Sequence, residues 1–243
     1  MCHRLLLHSP TGGRILERCG DRVQKRELNR LKLEKDIRTI GRKHLAEVGP
    51  VALSMRAITR ELGMASSAVY RYYPSKAALL TALIEESYAD LAARLEAVDG
   101  PSPAETWLRR ANELREWARK SPHDFQLIYG TPIPDYAAPP ETIPLAERVA
   151  RCFLDLAPAT PASPVEAALA AQLAPVGGDR AAPVFAALSQ MIGALTLELG
   201  GHFVGTADPA DHLWTHVVHT QIRNLGLDSA GSPHPGTRPR QKQ

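Results

Sequence analysis

The sequence predicts an all-α fold in two parts, a small N-terminal helical unit followed by a larger helical one. Three observations lead there. Apolar residues recur at spacings of three and four along most of the 243 residues, and nowhere do they alternate with the period of two that a half-buried strand needs. Ser, Asp or Pro opens the periodic runs, and Gly or Pro closes them. Charge also divides the chain: residues 1–76 hold 16 Lys/Arg against 7 Asp/Glu, net +9, while residues 77–243 hold 13 against 19, net −6.

In chain order, residues 1–13 contain a Ser-Pro-Thr-Gly-Gly break and are expected to lack fixed structure. Residues 14–35 are basic and helix-friendly, so residues 1–35 read as a basic extension, flexible or helical. The first helix of the N-terminal domain is expected over 36–48, with Ile37, Ile40, Leu45 and Val48 as its stripe and Gly49-Pro50 as its end. Ser54 stands where its hydroxyl can cap the next helix, whose inner face is Met55, Ile58 and Leu62. Gly63 closes that helix because the turn needs positive φ. Ser66 or Ser67 is expected to cap the following helix, residues 66–73, which turns Val69 and Tyr73 inward. Pro74 ends it, Ser75 caps the next, and Lys76 opens a long helix continued over 77–98.

Further helices are expected over 104–120, 125–129, 145–156, 164–173 and 183–203, with a last one starting at Asp208-Pro209 and ending at Gly226. Residues 130–144 are too proline-rich for regular structure. Residues 228–243 are polar, basic and proline-rich, a composition that stays disordered.

Two short helices joined by a glycine turn form a helix-turn-helix, which sets its second helix in the DNA major groove. Its outer side would show Ser66, Ser67, Tyr70, Arg71 and Tyr72. Ser66, Ser67 and Arg71 are candidates for base readout, with Ala65 on the same surface. Lys43, Ser54, Arg56, Tyr70, Tyr72 and Lys76 can meet phosphates. The basic N-terminal half fits a polyanionic partner, and the extension either follows the DNA backbone or is a solvated helix.

The run GMASSAVYRYYPSKAALL, with AITREL before it, resembles the DNA-binding signature of the TetR family of transcriptional regulators: Ile58, Gly63, Tyr70, Tyr72 with Tyr73, and Lys76 stand at the family's positions. Thr59 departs from the usual Ala. SPHDFQLIYGTPIPDY resembles the ligand domain of a WHG-type TetR subgroup common in actinobacteria. The resemblance implies a three-helix DNA-binding domain over 36–82, and a helical ligand-binding and dimerisation domain over 83–227. It implies a homodimer through the last two helices, a double-stranded DNA operator, and an unknown small-molecule effector that releases a repressor. An activator, or a ligand-binding module without specific DNA binding, fits the same residues.

Other chemistry finds little support. GxSxG, HExxH, P-loop and GxGxxG patterns are absent, so neither an enzyme nor a cofactor is expected. Cys2, Cys19 and Cys152 are scattered and odd in number, which suits a reducing cytoplasm rather than disulfides. No run approaches the ~20 apolar residues of a membrane span. His212, His216 and His219 recur along the last helix, but without a convincing ligand set a surface role outweighs a metal. Trp107, Trp117, Phe125, Tyr129 and Phe185 are candidates to line a ligand pocket, with Arg109, Arg110 and His123 as polar partners for an acidic ligand.

Overall fold

The computed structural model describes residues 11–158, 164–176 and 178–228, and of residues 11–23, 66 and 164–166 the backbone alone. Expectations for residues 1–10 and 229–243 lie outside the described residues. The regular elements of the described residues are all helices, with no strand among them. Those up to Leu80 form one compact unit and those from Thr81 a second.

In the first unit, α1 (Thr11–Ala52) begins far earlier than the expected 36–48 helix and includes the 11–13 stretch expected to be irregular. No capping break stands at residue 36. Arg30 instead pairs with Glu27 and Glu34, three and four residues away, which favours a continuous helix. Gly49, at φ +73, kinks α1 just before Pro50. α2 (Met55–Glu61) packs on α1 and on α3 (Ser66–Tyr70), and α4 (Lys76–Glu96) starts within this unit and continues into the second. The small core is Ile37, Leu45, Ile58, Val69 and Leu79, all 1% exposed or less.

α3 is shorter than the expected 66–73 helix. Proline disfavours helical geometry in the residue before it, so the chain leaves the helix ahead of Tyr73-Pro74. Its N-cap is Ala65, which supplies no side-chain bond, rather than Ser66 or Ser67. The Ser75 hydroxyl accepts from the Ala78 N–H at 3.1 Å and starts α4 as expected.

In the second unit α5 (Pro103–Lys120) packs against α6 (Pro122–Tyr129), α7 (Ile143–Leu154), α9 (Ala181–Leu199) and α10 (Asp211–Asn224), with α8 (Pro164–Gln172) beside α9. Its core centres on Trp107 and Phe153, both fully buried, their rings edge to face at 5.0 Å. Such a pair adds roughly 0.5–1.5 kcal/mol beyond its burial. α9 ends at Leu199, short of the expected Phe203. Gly201, at φ +72, turns the chain there and lets the His202 N–H reach the Leu197 carbonyl.

The stretch Gly178–Leu199 is long and apolar enough to cross a membrane, a property the sequence reading passed over, with mean hydropathy 1.4. In this fold Val184, Leu188, Met191 and Leu195 of α9 belong to the second core.

Gly63 sits at φ +65 with open space where a Cβ would go. Gly63→Ala therefore acts through backbone strain alone, costing roughly 1–2 kcal/mol. Amide exchange in α2 and α3 should quicken by about 5–30-fold, with α5 unchanged. Unchanged exchange in α2 would contradict this account of the turn.

Candidate nucleic-acid interface

The turn between α2 and α3 is a complete helix stop. The Gly63 N–H donates to the Arg60 carbonyl and the Met64 N–H to that of Thr59, at 3.1 and 3.0 Å. This double closure satisfies two of the carbonyls that a helix end leaves orphaned. At the other end of α2, the Ser54 hydroxyl accepts from the Ala57 N–H at 3.4 Å. Among the described side chains of α3 only Val69 is buried (0% exposed), as is Tyr73 just beyond it (8%). The Arg38 guanidinium donates to the Tyr73 hydroxyl at 2.7 Å, so α1 holds the residue that follows α3. Sequence reading turned Tyr73 inward but missed Arg38, 35 positions away with no local signal.

Val69 and Tyr73 are used inward, and Ala68 is half-buried. Ala65, Ser67, Tyr70 and Arg71 are exposed, and Tyr72 is half-buried. The Ser66 side chain lies outside the described residues. On α2, Arg56 is exposed, and so is Arg60 one turn on, which the sequence reading left out although the four-residue spacing from Arg56 was visible. Ser54 and Lys76 are half-buried. The structure thus gathers eight of the ten candidates onto α2, α3 and their flanks, with Lys43 on α1.

Two of the lysines already have partners. Lys76 Nζ donates to the Val51 carbonyl at 2.5 Å, tying the end of α1 to the start of α4. Lys43 Nζ lies 2.8 Å from Glu61, and His44 Nε2 is 2.9 Å from the other oxygen of the same carboxylate. An ammonium has three donors, so each lysine keeps capacity for a phosphate. The hydrogen bond from Lys43, then that from His44, holds the Glu61 carboxyl below its ordinary value, and the same contact raises Lys43. Glu61 therefore stays ionised at neutral pH and offsets part of the local positive charge.

In the second unit the aromatic candidates divide. Trp107, Trp117 and Phe125 are core residues, each 1% exposed or less, and the indole N–H groups donate to Gln221 and Asp90. Tyr129 and Phe185 pack half-buried against that core. A cavity of about 350 Å³ opens instead between α4, the end of α6, the proline-rich segment and α7. None of the five candidates lines it. Arg109 and Arg110, expected to serve an acidic ligand, donate to the carbonyls of Asp99 and Val98 that end the preceding stretch. His212, His216 and His219 are exposed on α10.

Comparison with known proteins places this geometry. A family model described as bacterial regulatory proteins, tetR family, matches residues 37–83. One described as tetracyclin repressor-like, C-terminal domain, matches residues 107–221. Together they span 162 of 243 residues. The chain belongs to the TetR family. Its C-terminal match carries that broader description rather than the WHG subgroup. Among its relatives, the HTH-type transcriptional regulator Rv1816 of Mycobacterium tuberculosis is 42% identical over 139 residues, 55% of this chain and 59% of its own length. The chain thus matches that relative over about three-fifths of its length. The protein SCO4313, known from a crystal structure, has a TM-score of 0.73 at 28% identity, covering 81% of this chain and 98% of its own. A TetR variant from Acinetobacter baumannii, solved with minocycline, shares the fold with a TM-score of 0.52 at 18% identity, covering 81% and 97%.

The Glu61 contact gives this TetR-type head a pH dependence of known sign. A carboxylate whose folded value lies below its unfolded one adds stability above the unfolded value of about 4.5 and loses it as pH falls through the folded value. Acidification through that range should lower the unfolding midpoint of the first unit less in Glu61→Gln than in the native chain. Parallel midpoint curves would show that the contact adds nothing.

Proposed function

We propose that this chain is a sequence-specific DNA-binding transcriptional regulator of the TetR type, a homodimeric repressor released by a small molecule. The observation that carries the reading is the outer surface of α3. This helix of five residues buries Val69 and leaves Ser67 and Tyr70, with Arg71 at its C-cap, exposed. Short side chains at its start allow close backbone approach to a groove, and Tyr and Arg reach beyond it. Ser66, Ser67 and Arg71 read base edges, with Ala65 beside them. Ser54, Arg56, Arg60, Tyr70 and Tyr72 meet phosphates, and Lys43 and Lys76 do so with their remaining donors.

Two copies pair through α9 and α10, where α9 leaves Leu197 exposed. The pair sets two α3 helices in successive major grooves, about 34–36 Å apart, on a near-palindromic site. The effector acts through α4, the one helix common to both units. It releases DNA only if it binds the released conformation better than the bound one. The working compartment is the cytoplasm.

Selection of random duplexes by the purified protein tests this directly. A near-palindrome should be recovered. Arg71→Ala should change its base preference, whereas Tyr70→Phe should weaken all sequences alike and leave preference intact. Retention of every duplex without bias, falling steeply with salt, would reduce the basic head to an electrostatic surface.

A further inference from the structure

The cavity in the second unit has a lining whose chemistry names a class of ligand. Its walls are Ile84, Leu127, Ile133 and Ile143, with Tyr88 and Tyr136 at its polar edge. Among the described residues, no Asp, Glu, Lys, Arg or His lines it. Three of its hydroxyls are already bonded: Tyr136 to the Thr81 hydroxyl at 3.0 Å, Thr142 to the Pro139 carbonyl at 2.8 Å, and Tyr88 to the Ile128 carbonyl at 3.4 Å. Thr131, also on this lining, is exposed. Burial also raises the Tyr88 phenol, which keeps that side chain neutral at working pH. The cavity therefore offers apolar area, phenol and hydroxyl groups, and no charge.

We infer that this cavity binds an uncharged, largely apolar molecule carrying one hydroxyl or carbonyl group, and that it discriminates against both anions and organic cations. The inference rests on the proposed regulator and names the chemistry of its effector. Apolar area drives entry, and neutral hydroxyls can pair a neutral polar group at little cost. A carboxylate or ammonium would lose its water and find no opposite charge, a penalty that outweighs the same apolar gain.

The Tyr136–Thr81 bond gives the ligand a mechanical handle. Thr81 lies on α4, and Tyr136 sits on the proline-rich segment that forms one wall. A ligand hydroxyl taking the Tyr136 phenol as its partner removes the tie between that wall and α4. Size does not select the probe, because 350 Å³ lies at the small end of ligand sites, about 300–1,000 Å³. Charge does.

The test uses decan-1-ol, decanoate and decyltrimethylammonium, which share an alkyl chain and differ in the charge of the head group. Calorimetric titration of the full chain without DNA should give the alcohol at least about tenfold tighter binding than either ion. Ala146→Phe and Ile133→Trp each narrow the cavity, one from α7 and one from the loop. Each should abolish alcohol binding while circular dichroism and unfolding midpoint stay native-like. Equal or tighter binding of either ion overturns the inference, as does no binding by any probe, or alcohol binding that survives both substitutions. Duplex binding is measured separately, so failure here leaves the regulator reading standing. Loss of duplex binding in the native chain would instead sink that reading without touching the cavity.

Discussion

A helix of five residues cannot hold itself together in water. Fixing the first turn costs more than its few hydrogen bonds return, and isolated helices shorter than ~12 residues are marginal. α3 exists because its neighbours leave it no alternative. The left-handed turn at Gly63 sets where it starts, Pro74 forbids its continuation, and between them Val69 and Tyr73 bury the only side it can spare. Arg38 then fixes the tyrosine from α1. Since that burial consumes just one face, the outward side chains are free to serve another molecule. The shortness of the helix is what makes its surface available.

The second unit relies on a different constraint. Its helices are tied by polar bonds inside or beside an apolar core. Arg115 is 8% exposed and makes a forked contact to Glu198 and a 2.8 Å bond to Asp211, while its guanidinium lies over the Trp214 ring. Desolvation opposes its charge, and the two carboxylates outweigh that penalty. Gln221 accepts from Trp107 and donates to the Ala187 carbonyl, joining α5, α9 and α10 at one buried point. Removing one member of such a set leaves a buried donor or acceptor alone, at a cost of about 1–3 kcal/mol.

Local signals made part of this legible in the sequence. Ser54, Gly63 and Ser75 act through neighbours within a few residues, so their caps and turn could be read directly, as could the inward faces of Val69 and Tyr73. The length of α3 and the early start of α1 were misjudged because propensity and pattern do not say where a helix gives way unless a breaker stands there. Pro74 was visible, but its effect reaches back past Tyr73. The cavity was beyond reach for another reason: an aromatic that packs a core and one that lines a hollow have the same character in a sequence. Trp107 and Trp117 could only be told from Tyr88 and Tyr136 by seeing which faces empty space. Arg38 with Tyr73, and Arg115 with Glu198, are pairings across 35 and 83 positions, which no window reveals.

The three tryptophans carry a practical consequence. Trp107, Trp117 and Trp214 are the only ones in the chain, all belong to the second unit, and each is 3% exposed or less. Each indole N–H has its own acceptor, on Gln221, Asp90 and Asn112. The tryptophan fluorescence of this protein thus comes from the second unit alone. Melting of the helix-turn-helix would pass unseen in the tryptophan band, and would show only in light emitted by tyrosine.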